Sequence, residues 1–215
     1  MEKNKKSKQN RRCHVNYKID DLIIRPIIEP DLPKLWELIY KEEEPEWKKW
    51  DAPYFDHKHM PYDEYLSQKE AIVEQDDRWV IEVAGEIIGT LGYYWEHKPS
   101  NWLEMGIVIY NPRYWSGGYG TQALRLLINH LFNTLPLVRV GYTTWSGNKR
   151  MIKAGEKLGM TMEARIRKVR YYNGTYYDSI RMGLLREEWE ANEVFKLETF
   201  NNKKRADSLI KSQIR

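Results

Sequence analysis

The chain has 215 residues, 41% of them apolar and 31% charged, with a formal net charge of +4, which suits one substantial domain and is short for two. No apolar run approaches the ~18 residues of a membrane span, and no apolar segment follows the N-terminal lysines to form a secretory leader. The single cysteine, Cys13, excludes an internal disulfide framework and fits a reducing cytoplasm; without a His or Cys partner at ligand spacing it marks neither a metal site nor a nucleophile.

Residues 1–18 hold Lys3, Lys5, Lys6, Lys8, Arg11, Arg12 and Lys18 against only Glu2, which predicts a basic, solvated tail. The rest of the chain is near neutral, so nucleic acid is not an expected partner. Residues 22–28 read as a first strand, and Pro30-Asp31 opens a helix to about residue 40. Residues 41–60 are irregular, first acidic (Glu42, Glu43, Glu44, Glu46) and then aromatic (Trp47, Trp50, Tyr54, Phe55). Residues 62–75 read as a second helix. Residues 79–84 and 87–95 form a hairpin turning at Gly85-Glu86, and 102–110 is the next strand. An amphipathic helix over 118–135, a β-rich run over 137–145 and a helix over 148–158 stopped by Gly159 follow. Residues 162–172 and 176–185 pair across Asn173-Gly174, the strongest turn signal in the chain. Tyr171, Tyr172, Tyr176 and Tyr177 are strand residues there, and the chain looks helical from 187 on. The predicted class is α/β, more strictly α+β: a mixed, mostly antiparallel central sheet with flanking helices. The domain spans 19–190, and 191–215 is a helical or frayed extension with a basic end at 201–215.

The segment Trp115-Ser116-Gly117-Gly118-Tyr119-Gly120-Thr121 joins a strand to the central helix. Its glycines let the chain turn tightly with N–H groups outward, and unpaired amides plus the helix dipole favour an anion such as phosphate. Asn148, after Ser146-Gly147, is suited to cap the next helix. Between the first two helices, Glu43, Glu44 and Glu46 with the rings of Trp47, Trp50 and Tyr54 would hold an ammonium by charge and cation–π contact. His57 and His59 lack a third ligand, so no metal site is expected.

That order of elements carries three motifs: the 115–120 turn after the fourth predicted strand, Asn148 followed by Glu156-Lys157-Leu158-Gly159-Met160, and the closing Arg170-Tyr171-Tyr172-Asn173-Gly174 with Asp178, Met182 and Leu185. Together they make roughly residues 20–190 resemble the GNAT acyltransferase superfamily, in the branch of the ribosomal-protein N-terminal acetyltransferases. Trp115 stands where Gln or Arg is usual. The resemblance implies an N-acetyltransferase that moves the acetyl group of acetyl-CoA to a primary amine by direct attack in a ternary complex, with no covalent enzyme intermediate. It implies that the amides of 115–121 hold the pyrophosphate, that main-chain groups of Val108, Ile109 and Tyr110 pair with pantetheine between splayed strands, and that the Asn148 amide fixes the same arm. It implies Glu104, on an otherwise apolar strand facing the cleft, as the proton acceptor. The acceptor is a protein N-terminus or, alternatively, a polyamine, aminoglycoside or other small amine. A non-catalytic acyl-CoA-binding regulator is the competing class, and homodimer formation is left open. One departure concerns the acid: many family members have Tyr just before the Glu-Lys-Leu-Gly stretch, where this chain has Gly155. A tyrosine acid is excluded at that position, leaving Tyr110, Tyr171 or a water near Asn148 as substitutes.

Overall fold

Alternating apolar residues build one eight-stranded sheet in the computed structural model, which describes residues 16–196. In chain order the strands are β1 (Tyr17–Ile19), β2 (Leu22–Pro26), β3 (Arg78–Val83), β4 (Glu86–His97), β5 (Trp102–Ile109), β6 (Arg139–Trp145), β7 (Thr161–Tyr172) and β8 (Thr175–Leu185). They lie side by side in the order β1-β2-β3-β4-β5-β6-β8-β7. Every neighbouring pair is antiparallel except β5 with β6. The helices are α1 (Leu32–Ile39), α2 (Tyr62–Ser67), α3 (Tyr119–Thr134), α4 (Lys149–Lys157) and α5 (Arg186–Ala191). Among the described residues no helix is long and apolar enough to cross a membrane.

The sheet separates two cores because strand residues alternate faces. On one face α3 lays Leu124, Leu127, Ile128 and Leu131 over Leu22, Ile24, Ile81, Ile88 and Leu103, all nearly free of solvent. Burial of each such side chain is worth about 1.5–3 kcal/mol. On the other face Leu32 and Leu35 of α1 and Tyr65 of α2 cover Ile27, Val80 and Ile87.

Three boundaries differ from expectation. β1 falls partly in the predicted tail, held by its pairing with β2 and by the Tyr17 hydroxyl against His130 Nδ1 at 2.6 Å. The second helix ends at Ser67 rather than near 75, passing into a short 3-10 turn at Lys69–Ala71. The domain also runs past 190: Phe195 is 1% exposed and belongs to the main core. The rest of the basic tail, Cys13 and the 201–215 end lie outside the described residues. The predicted hairpin turn is present, with φ of 46° at Asn173 and 74° at Gly174, the pair of positive angles that a two-residue type I′ turn requires.

Candidate active site

β5 and β6 pair over only three positions, Trp102 with Arg139, Leu103 with Val140 and Glu104 with Gly141. Beyond them the strands part, and the gap opens into a cavity of 490 Å³ lined by residues 105–109 of β5, residues 142–145 of β6, the glycine turn and one face of α4. In the splayed stretch the β5 backbone keeps β4 on one edge and has no strand on the other, so its main-chain groups there are open to a ligand arm. A second cleft of 400 Å³ lies under α1 and α2, against β3–β5. The two clefts share four residues: Asp51, Gly106, Ile107 and Val108.

Of the expected cofactor residues, Val108, Ile109, Trp115, Ser116, Gly118, Gly120, Thr121 and Asn148 line the larger cavity. Ser116 and Gly118 both take left-handed backbone angles, φ 64° and 87°, which turn the chain sharply onto α3. The first helical hydrogen bond runs from the Gln122 amide to the Gly118 carbonyl at 3.0 Å. The amides of Tyr119, Gly120 and Thr121 therefore have no acceptor within the helix and sit at the positive end of its dipole. Gly117 and Tyr119 are not cavity walls; they stack on each other, a Cβ at 117 lying 2.9 Å from the Tyr119 ring. Tyr110 is also not a wall. Its amide donates to Ile88 O at 2.9 Å and its hydroxyl meets Thr90 Oγ1 at 2.7 Å, so the amide that was expected to pair with pantetheine is used within the sheet. Ile109 likewise gives its carbonyl to Trp115 Nε1 at 2.8 Å.

One wall of the cavity was not expected from the sequence. Arg150, Lys153 and Lys157 of α4 all line the cavity, at the i, i+3, i+7 spacing that puts them on one helix face. Arg150 lies over the rings of Trp50 (4.4 Å) and Trp115 (5.0 Å). These cations and the α3 N-terminus border the same cavity, an arrangement complementary to an anionic ligand.

Asn148 does two jobs at once. Its Oδ1 accepts from the Met151 amide at 3.1 Å, capping α4, and its Nδ2 donates to the Trp50 carbonyl at 3.0 Å. One donor and one acceptor position are thus used within the fold, which gives Asn148 a capping and tethering role beside the expected contact to pantetheine. Trp145 Nε1 donates to the same carbonyl, also at 3.0 Å. One main-chain oxygen thus ties the 47–55 segment to the mouth of the splayed strands.

That segment carries the residues expected on the acceptor side. Trp47, Trp50 and Tyr54 line the larger cavity, with the glycine turn and the α4 cations, and not the second cleft. Trp47 packs edge-on to Tyr110 at 5.3 Å, and Tyr54 to Trp145 at 6.1 Å. Glu42, Glu43, Glu44 and Glu46 are exposed and line neither cleft. The expectation for Glu43, Glu44 and Glu46 is corrected, because the run precedes the turn that enters the site. Asp51 is the carboxylate present instead, and among the described residues the only one lining the larger cavity. The walls crowding it push its pKa up, opposed by Lys48, although water reaches it through the cleft openings. His57 packs between Tyr40 and Trp47, and burial lowers its pKa. Among the described residues no group of three His, Cys, Asp or Glu is placed to hold a metal.

Glu104 does not open into either cleft. It is fully buried, with Oε1 accepting from Arg139 Nη1 at 2.9 Å and from Trp102 Nε1 at 3.2 Å. Arg139 also pairs with Glu163 on β7. Among the described residues Glu104 Oε2 has no hydrogen-bond partner. The expected base is thus a cross-strand ion pair that fastens β5, β6 and β7 where the splay begins. Gly155 has an equally local cause: a Cβ there would collide with the hydroxyl of Tyr142, which donates to Met151 O at 2.8 Å. Tyr142 reaches across from β6, lines the cavity, and leaves no room for a side chain at 155.

An eight-stranded mixed sheet that parts between its only parallel pair, with a glycine turn feeding a helix at the gap, defines an acyl-CoA transferase type of fold. Residues 21–161 match the acetyltransferase (GNAT) domain family, and the chain belongs to that family. It is 32% identical over 104 residues to the SPbeta prophage-derived uncharacterized N-acetyltransferase YokL of Bacillus subtilis, covering 48% of this chain and 51% of the relative. It is 26% identical over 118 residues to the spermidine N(1)-acetyltransferase of Escherichia coli K12, covering 55% of this chain and 63% of the relative. The chain thus spans about half to two thirds of the length of these curated relatives. Among solved structures, a spermidine N-acetyltransferase from Vibrio cholerae in complex with CoA and spermine superposes with a TM-score of 0.65 at 18% identity, over 78% of this chain and 97% of that one. A probable acetyltransferase superposes at 0.67 and 22% identity, over 81% and 99%. At such identities these likenesses speak for the fold. None of the relatives named here is a ribosomal-protein N-terminal acetyltransferase, so that finer branch has no support from them.

Proposed function

We propose that this protein is an acetyl-CoA-dependent N-acetyltransferase of small cationic amines, acting in a ternary complex in the cytoplasm. The observation that carries it is the meeting of two clefts at Asp51, Gly106, Ile107 and Val108: a cation-walled one for an anionic thioester and an aromatic, carboxylate-bearing one for an amine. Val108, Trp115, Ser116, Gly118, Gly120 and Thr121, with Arg150, Lys153 and Lys157, hold acetyl-CoA. Amides at the α3 N-terminus take the pyrophosphate, and the open edge of β5 takes the pantetheine arm and polarises the thioester carbonyl. Two spermidine acetyltransferases among the relatives and likenesses support a small amine over a protein N-terminus.

The test is thiol release from acetyl-CoA with spermidine, an aminoglycoside and a short peptide with a free N-terminus as acceptors. Turnover is expected with spermidine or another small amine and little with the peptide. Peptide turnover exceeding that of every small amine would restore the protein N-terminus as acceptor. Acetyl-CoA binding without release to any amine would make the protein a non-catalytic acyl-CoA binder.

A further inference from the structure

Of the four residues common to both clefts, Gly106, Ile107 and Val108 are apolar strand positions and only Asp51 carries a titratable side chain. Its position is fixed from behind: Trp145 Nε1 and Asn148 Nδ2 both hold the preceding carbonyl, and Lys48 Nζ donates to the carbonyls of Asp51 (2.9 Å) and Ala52 (3.2 Å). Lys48 therefore spends donors on main chain while its charge faces the carboxylate. The carboxylate also lies within electrostatic reach of Tyr54 and Tyr110, and Tyr110 is bonded to Thr90 on the floor of the second cleft. Further charges nearby are Arg150 of α4, stacked on Trp50, and Arg170 of β7, stacked on Tyr54 at 4.8 Å. Both guanidiniums lie over aromatic faces. The second cleft is also lined by Asp77 and Arg78, but among the described residues Asp51 is the one carboxylate that lines both clefts.

We propose that Asp51 is the carboxylate that seats the acceptor's ammonium at the junction of the two clefts and takes its proton, a role that rests on the acetyl transfer argued above. The ammonium gives one proton to the Asp51 carboxylate, and the freed nitrogen forms a bond to the acyl carbon as the carbon–sulfur bond breaks. The nitrogen's second proton goes to the departing sulfur, and Asp51 returns its proton to water through the open cleft. The raised pKa of Asp51 suits a proton acceptor working nearer neutrality than an ordinary carboxylate.

The experiment compares wild type, Asp51→Asn and Asp51→Glu in three readouts: calorimetric titration with spermidine, calorimetric titration with acetyl-CoA, and thiol release as a function of pH. Asp51→Asn should bind acetyl-CoA as wild type does, bind spermidine roughly 10-fold more weakly for loss of a charged hydrogen bond, and lose roughly 100-fold in kcat/KM. The acidic limb of its pH profile should disappear, while Asp51→Glu retains that limb and recovers part of the rate. Spermidine affinity, rate and pH profile all unchanged in Asp51→Asn would overturn the assignment. If wild type itself releases no thiol with any amine, the transfer reading fails and the proton step with it. Equal spermidine affinity in wild type and Asp51→Asn then removes the ammonium seat as well.

Discussion

Gly155→Ala probes the packing that replaces the expected tyrosine. The added methyl would press on the Tyr142 hydroxyl and lie 3.1 Å from Met182 Cε and 3.3 Å from Tyr142 Cζ, with Tyr142 and Met182 each 1% exposed. Both neighbours must give way against a packed core, so overpacking costs about 1–3 kcal/mol. Alanine returns about 1 kcal/mol through its better helix propensity. The net loss is at most about 2 kcal/mol, or up to roughly 6 °C in Tm for a domain of this size. Tyr142→Phe removes the colliding oxygen and its bond to Met151 O, at a cost of about 1 kcal/mol. In that background the alanine should cost little, giving a coupling of about 1–2 kcal/mol between the two sites. Urea unfolding of the wild type, both single variants and the double variant measures it. Losses that simply add in the double variant would refute the claim that Tyr142 dictates glycine at 155.

Gly118 has φ of 87°, so Gly118→Asn and Gly118→Asp share the backbone strain and differ in charge; calorimetry should show acetyl-CoA bound at least about 10-fold more weakly by the aspartate than by the asparagine. Arg139→Ala strands the buried Glu104 carboxylate and should lower stability by about 3–5 kcal/mol, more than Glu104→Gln does, by urea midpoints. A Cβ at Gly106 meets nothing within 4 Å; Gly106→Val should keep the fold and narrow the junction, raising acceptor KM in steady-state assays far more than it changes acetyl-CoA affinity. Burial lowers the His130 pKa to about 4, against about 6.5 when unfolded. The unfolded chain therefore binds the extra proton between those values, so stability is full above pH 6.5 and falls as pH drops toward 4, by up to about 3 kcal/mol. His130→Gln should flatten that slope in urea titrations across the window.

The hairpin at Asn173-Gly174 was legible because left-handed angles call for glycine or asparagine, and both appear in the sequence; in the glycine turn Gly118 follows that rule, whereas Ser116 takes a left-handed angle without it. The strand order was legible from alternation, whereas β1 was not. Three residues among lysines carry little pattern, and it is the distant His130 that gives Tyr17 its partner. The site divided along the same line. The cavity residues on β5 and in the turn followed from local sequence, but Glu104 was misplaced because its fate depends on Arg139, 35 positions away. Asn148 was read only in part because one of its donor positions is used by Trp50, 98 positions away. Asp51 was overshadowed by four nearby glutamates, although its place between Trp50 and Tyr54 was visible. The α4 cations were legible at helical spacing and went unread.

The central claim is that two clefts fill together and exchange an acyl group where they meet. Initial rates of thiol release over a matrix of acetyl-CoA and spermidine concentrations test it most directly. Direct transfer predicts double-reciprocal lines that intersect, with one acetylated amine found by mass spectrometry for each thiol released. Parallel lines, with an acetylated protein intermediate captured when the amine is withheld, would contradict it.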